Sequence, residues 1–165
     1  MVHSEGVEEL LGGLVKEMER RYGVLSEARV DNLEEYNAAG TSPMPRIVCV
    51  CDEYADLLLA DKKRRETVQN LIARLGAKAR AAGIHLVFAT QRPSRDIVKG
   101  VIDANFSGRV ALKVVRPIES RIILDEAGAE TLLGSGDLLY KDIGSPVRLQ
   151  GLFVTRSELE ELVKQ

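Results

Sequence analysis

The chain has 165 residues, of which 45% are hydrophobic and 29% charged, and its formal net charge is −2. This length suits one domain with its own core, and the composition is ordinary for a globular protein. No apolar run approaches the roughly 20 residues of a membrane helix, and the amino terminus has no signal-peptide pattern. Cys49 and Cys51 lie two residues apart on one predicted strand, poorly placed to bridge each other. We therefore expect a cytoplasmic chain with reduced cysteines and no direct membrane contact.

The charges are unevenly distributed along the chain. Residues 62–121 hold 14 basic and 4 acidic side chains, whereas residues 1–61 hold 5 basic and 13 acidic ones. Residues 122–165 hold 4 basic and 8 acidic side chains. A basic middle third of this kind often faces nucleic acid or phosphate. A solvated helix face is the alternative, and it is the preferred interpretation for the basic run 62–65.

The first 46 residues are predicted to be helical. Apolar residues recur at helical spacing from about residue 5 to 22, which predicts an amphipathic helix that Gly23 ends. A short second helix is predicted around residues 32–39, with Asp31 as its cap.

The stretch 47–51 is a continuous apolar run that leads directly into Asp52 and Glu53. Such a run predicts a strand buried on both faces of a parallel sheet. Burying two carboxylates is costly, so they should lie at the carboxyl end of the strand, where open α/β sheets bind ligands. Nucleotide hydrolases use this arrangement to hold Mg²⁺ and to activate water. An ordinary acidic turn leaving the core is the alternative.

A second buried strand is predicted at residues 84–89, and it too ends in polar residues, Thr90 and Gln91. A helix through residues 68–79 connects the two strands and is predicted to stop at Gly83. Parallel strands joined by a helix form a right-handed unit whose carboxyl ends share one edge. We therefore expect the polar residues after both strands to lie together.

The rest of the chain is predicted to contain a third strand at 109–115, a helix at 119–127 and a hairpin-like pair of strands within 132–154. Thr155 or Ser157 is the predicted cap of a last helix, which ends near Lys164.

Six blocks of the sequence resemble the motor domain of the FtsK/SpoIIIE DNA-translocase family. They follow the family's order and cover nearly the whole chain: 17–22, 52–57, 78–86, 89–94, 122–125 and 136–140. The resemblance implies a RecA-like P-loop ATPase core, a mostly parallel sheet flanked by helices. It also implies a hexameric ring that moves double-stranded DNA at the expense of ATP during chromosome segregation and cell division. Intact members of the family are tethered to the inner membrane.

The resemblance also implies roles for individual residues. Asp52 corresponds to the Mg²⁺-coordinating acid and Glu53 to the acid that activates water. Thr90 and Gln91 correspond to the polar sensor beside the γ-phosphate. Arg80 corresponds to an arginine finger offered to a neighbouring subunit, a role that suits a guanidinium.

Two loops correspond to the DNA-facing loops of the family. Arg92 lies in the first of them. The second corresponds to residues 115–117, and Pro117 stands where the family has a lysine. The resemblance therefore implies that Arg116 makes the phosphate contact instead. Simple solvation, or an ion pair along a helix, is the alternative for Arg80 and Arg92.

One motif of the family is missing. None of the 14 glycines opens a Gly-x-x-x-x-Gly-Lys-Ser/Thr loop, which holds the triphosphate. We therefore expect an incomplete sheet without its phosphate-loop strand, and no useful ATPase activity from this chain by itself. ATP and Mg²⁺ are expected only together with that half of the motor. In RecA-like sheets the missing strand lies between the strands at 84–89 and 109–115. Unpaired strand edges favour pairing with another chain, so we expect the gap either to close locally or to be filled by dimerisation or swapping.

The sequence thus predicts one partial RecA-like domain. Residues 1–46 form its helical lead-in, residues 47–115 hold the acid pair, the sensor and the third strand, and residues 116–165 hold the remaining helices and strands. Two alternatives share this fold: a non-catalytic module that binds DNA or a partner subunit, and a conjugation- or secretion-type motor ATPase.

Overall fold

A computed structural model describes residues 6–40, 42–58, 62–98 and 100–164. The described residues form two compact units. The first unit contains α1 (Val7–Ala28), α2 (Leu33–Ala39), β1 (Ile47–Cys51), α3 (Tyr54–Leu58), α4 (Lys62–Lys78), β2 (Ile84–Phe88) and α6 (Val101–Asn105). The second contains α5 (Arg95–Val98), β3 (Arg109–Leu112), α7 (Pro117–Leu124), β4 (Asp137–Lys141), β5 (Val147–Gln150) and α8 (Arg156–Val163).

The core of the first unit forms where α1 packs against α4. Both helices bury an apolar stripe, which includes Leu14, Met18, Ile72 and Leu75. Arg21 is the only buried cation among the described residues of α1. Its Nε donates to Glu17 Oε1 at 2.8 Å, and its Nη1 donates to the carbonyl of Ala82 at 3.0 Å. A buried guanidinium needs such partners because burial removes its water.

Helix α1 differs from its predicted extent. It continues past Gly23 to Ala28, and its carboxyl-terminal cap is Arg29, with a left-handed backbone at φ 57°. Leu25 is buried in the last turns, and its burial outweighs the cost of roughly 1 kcal/mol for a glycine inside a helix. The cap of α2 also differs by one residue, because Asn32 rather than Asp31 accepts a hydrogen bond from the backbone of Glu35.

The strands β1 and β2 pair in parallel, with Ile47 opposite Ile84 and Cys51 opposite Phe88. The prediction of burial on both faces is wrong for β1. Its side chains alternate, and Val48 and Val50 are 62% and 66% exposed. Val87 on β2 is 49% exposed on the same side of the pair. No other described element covers these valines, and within the described residues each of the two strands pairs only with the other.

The second unit contains an antiparallel sheet in the order β3, β4, β5, which includes the predicted hairpin. One face of this sheet packs on α7 and on a short 3-10 turn, Ala129–Thr131, around Ala111, Leu124 and Leu132. The opposite face is apolar and open, and it carries two cross-strand rows of side chains: Val110, Tyr140 and Val147, and Leu112, Leu138 and Leu149. Helix α8 starts at the cap Thr155, one of the two predicted caps.

Candidate functional site

The candidate site lies where β1 and β2 end. The backbone N–H of Ala89 donates to the carbonyl of Cys51 at 2.9 Å, and the N–H of Tyr54 donates to the carbonyl of Ala89 at 2.8 Å. These two bonds continue the parallel pairing past the last strand residues. The carboxyl ends of the two strands are therefore held side by side, as the sequence predicts.

Glu53 turns towards the end of β2. Its backbone is in the left-handed region at φ 51°, which is uncommon for a residue other than glycine. Thr90 Oγ1 donates to Glu53 Oε1 at 2.6 Å, and the backbone N–H of Gln91 donates to Oε2 at 3.0 Å. These hydrogen bonds lower the pKa of the Glu53 carboxyl, the Thr90 bond being the larger cause. Glu53 is thus ionised at neutral pH.

Tyr54 supports this turn. It is buried, and its ring meets the ring of Phe88 edge to face, with centroids 5.1 Å apart. Burial raises the pKa of the Tyr54 hydroxyl to about 12, so the residue stays neutral. Sequence reasoning did not assign Tyr54 a role, although an aromatic residue directly after an acid pair is a usable signal for such packing.

Asp52 stands one residue before Glu53 and is exposed to solvent. It is therefore accessible to a cation, unlike a carboxylate buried in the strand. Mg²⁺ in nucleotide sites is usually held by one or two carboxylates, several waters and the phosphates themselves. A single exposed carboxylate fits such an ion. Groups of three or more His, Cys, Asp or Glu side chains that could form a metal cage by themselves are absent from the described residues.

The remaining predicted residues occupy separate places. Arg80 is exposed in the turn after α4, and the N–H of Gly83 donates to its carbonyl at 3.0 Å. Arg92 is exposed two residues after Thr90, and its backbone N–H donates to Thr90 Oγ1 at 3.1 Å. Arg116 lies in the second unit, at the start of α7, and its N–H donates to Glu119 Oε2 at 3.0 Å. The structure thus brings Glu53, Thr90, Gln91 and Arg92 together in the first unit.

Cys49 and Cys51 are half-buried and free. Burial raises the pKa of both thiols, and that of Cys51 reaches about 11. Both therefore remain protonated at neutral pH, which makes them structural residues rather than nucleophiles.

Comparison with known proteins identifies the family in which the residues of this site occur. Residues 38–95 match the sequence profile of the FtsK/SpoIIIE family, and this range includes β1, β2, Glu53, its partners Thr90 and Gln91, and Arg92. A protein named DNA translocase FtsK from Streptococcus agalactiae is 47% identical over 162 residues, which cover 91% of this chain. The chain belongs to the FtsK/SpoIIIE family.

The FtsK/SpoIIIE chain spans about a fifth of the length of the curated relatives it matches, 20% in the case of the Streptococcus agalactiae protein. A relative from Treponema pallidum, also named DNA translocase FtsK, is 46% identical over 155 residues and is covered to 19%.

Solved structures confirm the P-loop ATPase fold. The conjugation coupling protein TcpA of pCW3, solved as a monomer with ATPgS, matches with a TM-score of 0.87 and 26% identity over 99% of this chain and 49% of its own. The cytoplasmic domain of the type VII secretion ATPase EccC from Thermomonospora curvata matches with a TM-score of 0.75 and 28% identity. That match covers 90% of this FtsK/SpoIIIE chain and 18% of EccC.

Within the described residues of this FtsK/SpoIIIE chain, every helix is too short or too polar to cross a lipid bilayer.

Proposed function

We propose that this chain is the part of an ATP-driven translocase of double-stranded DNA that supplies the acid pair and the sensor of the motor. The observation that carries the proposal is the contact of Glu53 with Thr90 and Gln91 at the joined ends of two parallel strands. The family match over residues 38–95 and the relatives named DNA translocase FtsK support it. Chromosome segregation and cell division are the cellular processes that fit those relatives.

The roles of the residues follow from their positions. Mg²⁺, when bound, would neutralise negative charge on the phosphates, and the exposed carboxylate of Asp52 would hold it through water or directly. Glu53 is ionised, so it can accept the proton of the water that attacks the γ-phosphorus. Arg80 is a fixed cation on an exposed turn, where it can neutralise charge in the nucleotide site of a neighbouring copy in a hexameric ring.

The rest of the motor has to supply the phosphate loop, because the sequence contains none. We infer that this chain hydrolyses no ATP by itself and that the complete protein does. There, Glu53→Gln should lower kcat roughly 10²- to 10⁴-fold and leave ATP binding intact, since the base alone is lost. Glu66→Gln is the matched control, because Glu66 is exposed on α4 in a loose ion pair with Lys62. Equal rates of ATP hydrolysis for Glu53→Gln and the control would contradict the proposed role of Glu53 as the base.

The cargo is tested by duplex DNA binding as a function of salt. Phosphate contacts release counterions, so affinity should fall steeply as salt rises. Arg92→Ala and Arg116→Ala should each lower the slope of the logarithmic plot by about 1. Arg156→Ala is the control, because that side chain is exposed and pairs only with Glu160 of the same helix among the residues described.

A protein-moving motor is the second candidate, and the similarity to the secretion ATPase EccC favours it. A flat salt dependence, or no binding of duplex DNA at low salt, would select it over a DNA motor. A non-catalytic DNA- or subunit-binding module is the third candidate, and it predicts steep salt dependence together with an unaltered rate for Glu53→Gln.

The isolated chain is proposed to associate through β2. Within the described part of the chain no strand pairs with its outer edge, and Val87 of β2 is exposed. Such an edge favours pairing with another strand. Light scattering should detect dimers that disappear on dilution, whereas a clean monomer at high concentration with cooperative melting would contradict a swapped form. In the cell, the proposed location is the cytoplasm, with tethering supplied by other regions of the complete protein.

A further inference from the structure

The turn that carries Arg80 is hydrogen-bonded at every one of its peptide carbonyls. We call residues 78–83, which connect α4 to β2, the Arg80 turn. Each of its six carbonyl oxygens accepts a hydrogen bond of 2.8 to 3.0 Å. In the order of the carbonyls from 78 to 83, the donors are the Tyr22 hydroxyl, the backbone N–H groups of Ile84, Gly83 and Leu33, Arg21 Nη1 and the N–H of Ile47. The backbone of the Arg80 turn is therefore held along its whole length.

The side chains of the Arg80 turn also hold it in place. Ala79 and Ala82 are 2% and 0% exposed, and Gly83 lies so close to Leu33 that it has no room for a Cβ. Arg80, between the two buried alanines, is exposed. The turn thus presents one long cation from a buried and fixed base.

Two of the six donors are side chains, and they come from consecutive residues of α1. Arg21 is buried; its Nε donates to Glu17 Oε1 at 2.8 Å and its Nη1 donates to the carbonyl of Ala82 at 3.0 Å. Hydrogen bonds from Arg20, and then from Arg21, lower the pKa of Glu17 to about 2, so this carboxylate is ionised at neutral pH. Because a guanidinium is planar, the bond from Nε to Glu17 sets the direction of the bond from Nη1.

The second side chain completes a symmetrical arrangement about Arg80. The hydroxyl of Tyr22 donates to the carbonyl of Lys78 at 2.8 Å. Lys78 lies two residues before Arg80, and Ala82 lies two residues after it. The same helix therefore holds the backbone on both sides of Arg80, and a change in either contact alters where the Arg80 side chain starts.

We infer that Arg21 and Tyr22 are positioning residues for Arg80, which hold its backbone where the guanidinium can reach the nucleotide of a neighbouring copy. This inference rests on the proposed function and deepens it. Stabilising charge in a transition state requires groups that are already in place, and a displacement of about 1 Å can lower a rate roughly 10²-fold. The side chain of arginine is long and has many rotamers, so its backbone is the part that the fold can place in advance. Arg21 and Tyr22 act through Arg80 and do not touch the nucleotide.

The test is a double-mutant cycle in the complete motor protein, with steady-state ATP hydrolysis as the measurement. Arg21→Met keeps much of the side-chain length and removes its donors. Its kcat should fall roughly 10- to 10²-fold at an unchanged KM for ATP, because the phosphate loop still binds the nucleotide. Tyr22→Phe removes one hydroxyl, and its kcat should fall about 5-fold, which corresponds to roughly 1 kcal/mol.

The same two substitutions are then made in an Arg80→Ala background. There each should change kcat by less than about 2-fold, because the side chain that they position is gone. A merely structural role for Arg21 and Tyr22 gives a different result, since damage to the fold lowers kcat by the same factor with and without Arg80. Equal relative losses in the two backgrounds overturn the inference.

Arg20→Gln is the matched control on the same helix. Arg20 donates to both oxygens of Glu17, at 2.7 and 2.8 Å, and its further contact is with the sulfur of Met44 rather than with the Arg80 turn. Its loss should change kcat by less than about 2-fold. If Arg21→Met lowers the melting temperature below that of the assay, the cycle with Tyr22→Phe decides, because that variant removes no charge.

The outcomes separate this inference from the proposed function. An Arg80→Ala motor that hydrolyses ATP at the unaltered rate overturns the inference, because no guanidinium at position 80 then needs to be placed. A large loss of rate for Glu53→Gln in the same assay leaves the proposed function in place. Unaltered rates for both Arg80→Ala and Glu53→Gln overturn the proposed function together with the inference.

Discussion

Asp137 and Arg148 form a two-point ion pair between adjacent strands of the second unit. Arg148 Nε contacts Asp137 Oδ1 at 2.9 Å, and Nη2 contacts Oδ2 at 2.7 Å. The backbone N–H of Leu133 donates to the same Oδ2 at 2.7 Å. Asp137 is buried, so these contacts replace the water that its carboxylate loses. The pair fixes the register of β4 against β5.

Because of this ion pair, we expect the fold to lose stability in acid. The hydrogen bonds from Arg148, and then that from Leu133, lower the pKa of Asp137 to about 2. A carboxyl with a lowered folded-state pKa stabilises the fold above its unfolded pKa of about 3.9, and this stabilisation is lost as the pH falls towards 2. Asp137→Asn should lower the melting temperature above about pH 4, and the difference from the unaltered chain should vanish near pH 2. A difference that is independent of pH would contradict this assignment.

Removal of the Ser120 hydroxyl is expected to destabilise the fold. Ser120 is completely buried on α7; its Oγ donates to the carbonyl of Glu126 at 2.7 Å and accepts from the N–H of Ala129 at 3.1 Å. Ser120→Ala leaves both backbone groups without their partner, and the free energy of unfolding should fall by about 1–3 kcal/mol in urea denaturation. Ser107→Ala is the control because Ser107 is exposed, and it should change little.

Position 83 is expected to require glycine, because both its backbone conformation and its surroundings disfavour a side chain. Its φ is +72°, and an added Cβ would lie 2.0 Å from Cδ2 of Leu33, the buried first residue of α2. Gly83→Ala should lower the free energy of unfolding by about 1–3 kcal/mol from backbone strain, with a further loss from the displacement of Leu33. Gly100→Ala has a similar strain, with φ +96°, but nothing within 4 Å of the added atom. The difference between the two variants measures the steric contribution, and equal losses would contradict it.

At Gly23, in contrast, replacement by alanine is expected to stabilise the fold. It lies inside α1, and an added Cβ has nothing within 4 Å. Gly23→Ala should raise the free energy of unfolding by about 1 kcal/mol, because alanine restricts the unfolded chain and favours helix. Circular dichroism during urea denaturation measures the change. A loss of stability would show that Gly23 ends the helix, as the sequence alone suggested.

The meeting of Glu53 with Thr90 and Gln91 could be predicted because parallel strands joined by a helix end at one edge. The left-handed backbone of Glu53 could not, since it depends on tertiary bonds of Tyr54 and Ala89. The exposure of Val48 and Val50 was also missed. A continuous apolar run shows that a strand can be buried, but it does not show which elements are present to bury it.

The amino-terminal cap of α2 could not be predicted from local sequence either. Asp31 and Asn32 are adjacent and both are good caps, so local preference does not choose between them. Tertiary contacts make the choice, because the N–H of Leu33 donates to the carbonyl of Ala81 at 2.8 Å and so fixes where α2 begins. The partner of Asp137 lies eleven residues away on another strand, and no local pattern identifies it.

The protonated state of Cys49 and Cys51 makes this chain convenient for fluorescence work. Maleimide dyes react with thiolates, and at neutral pH neither native cysteine presents one in quantity. A cysteine introduced at an exposed position, for example by Ser107→Cys, will therefore take up the dye selectively. Single-molecule observation of the labelled chain can begin without first removing its two natural sulfhydryls.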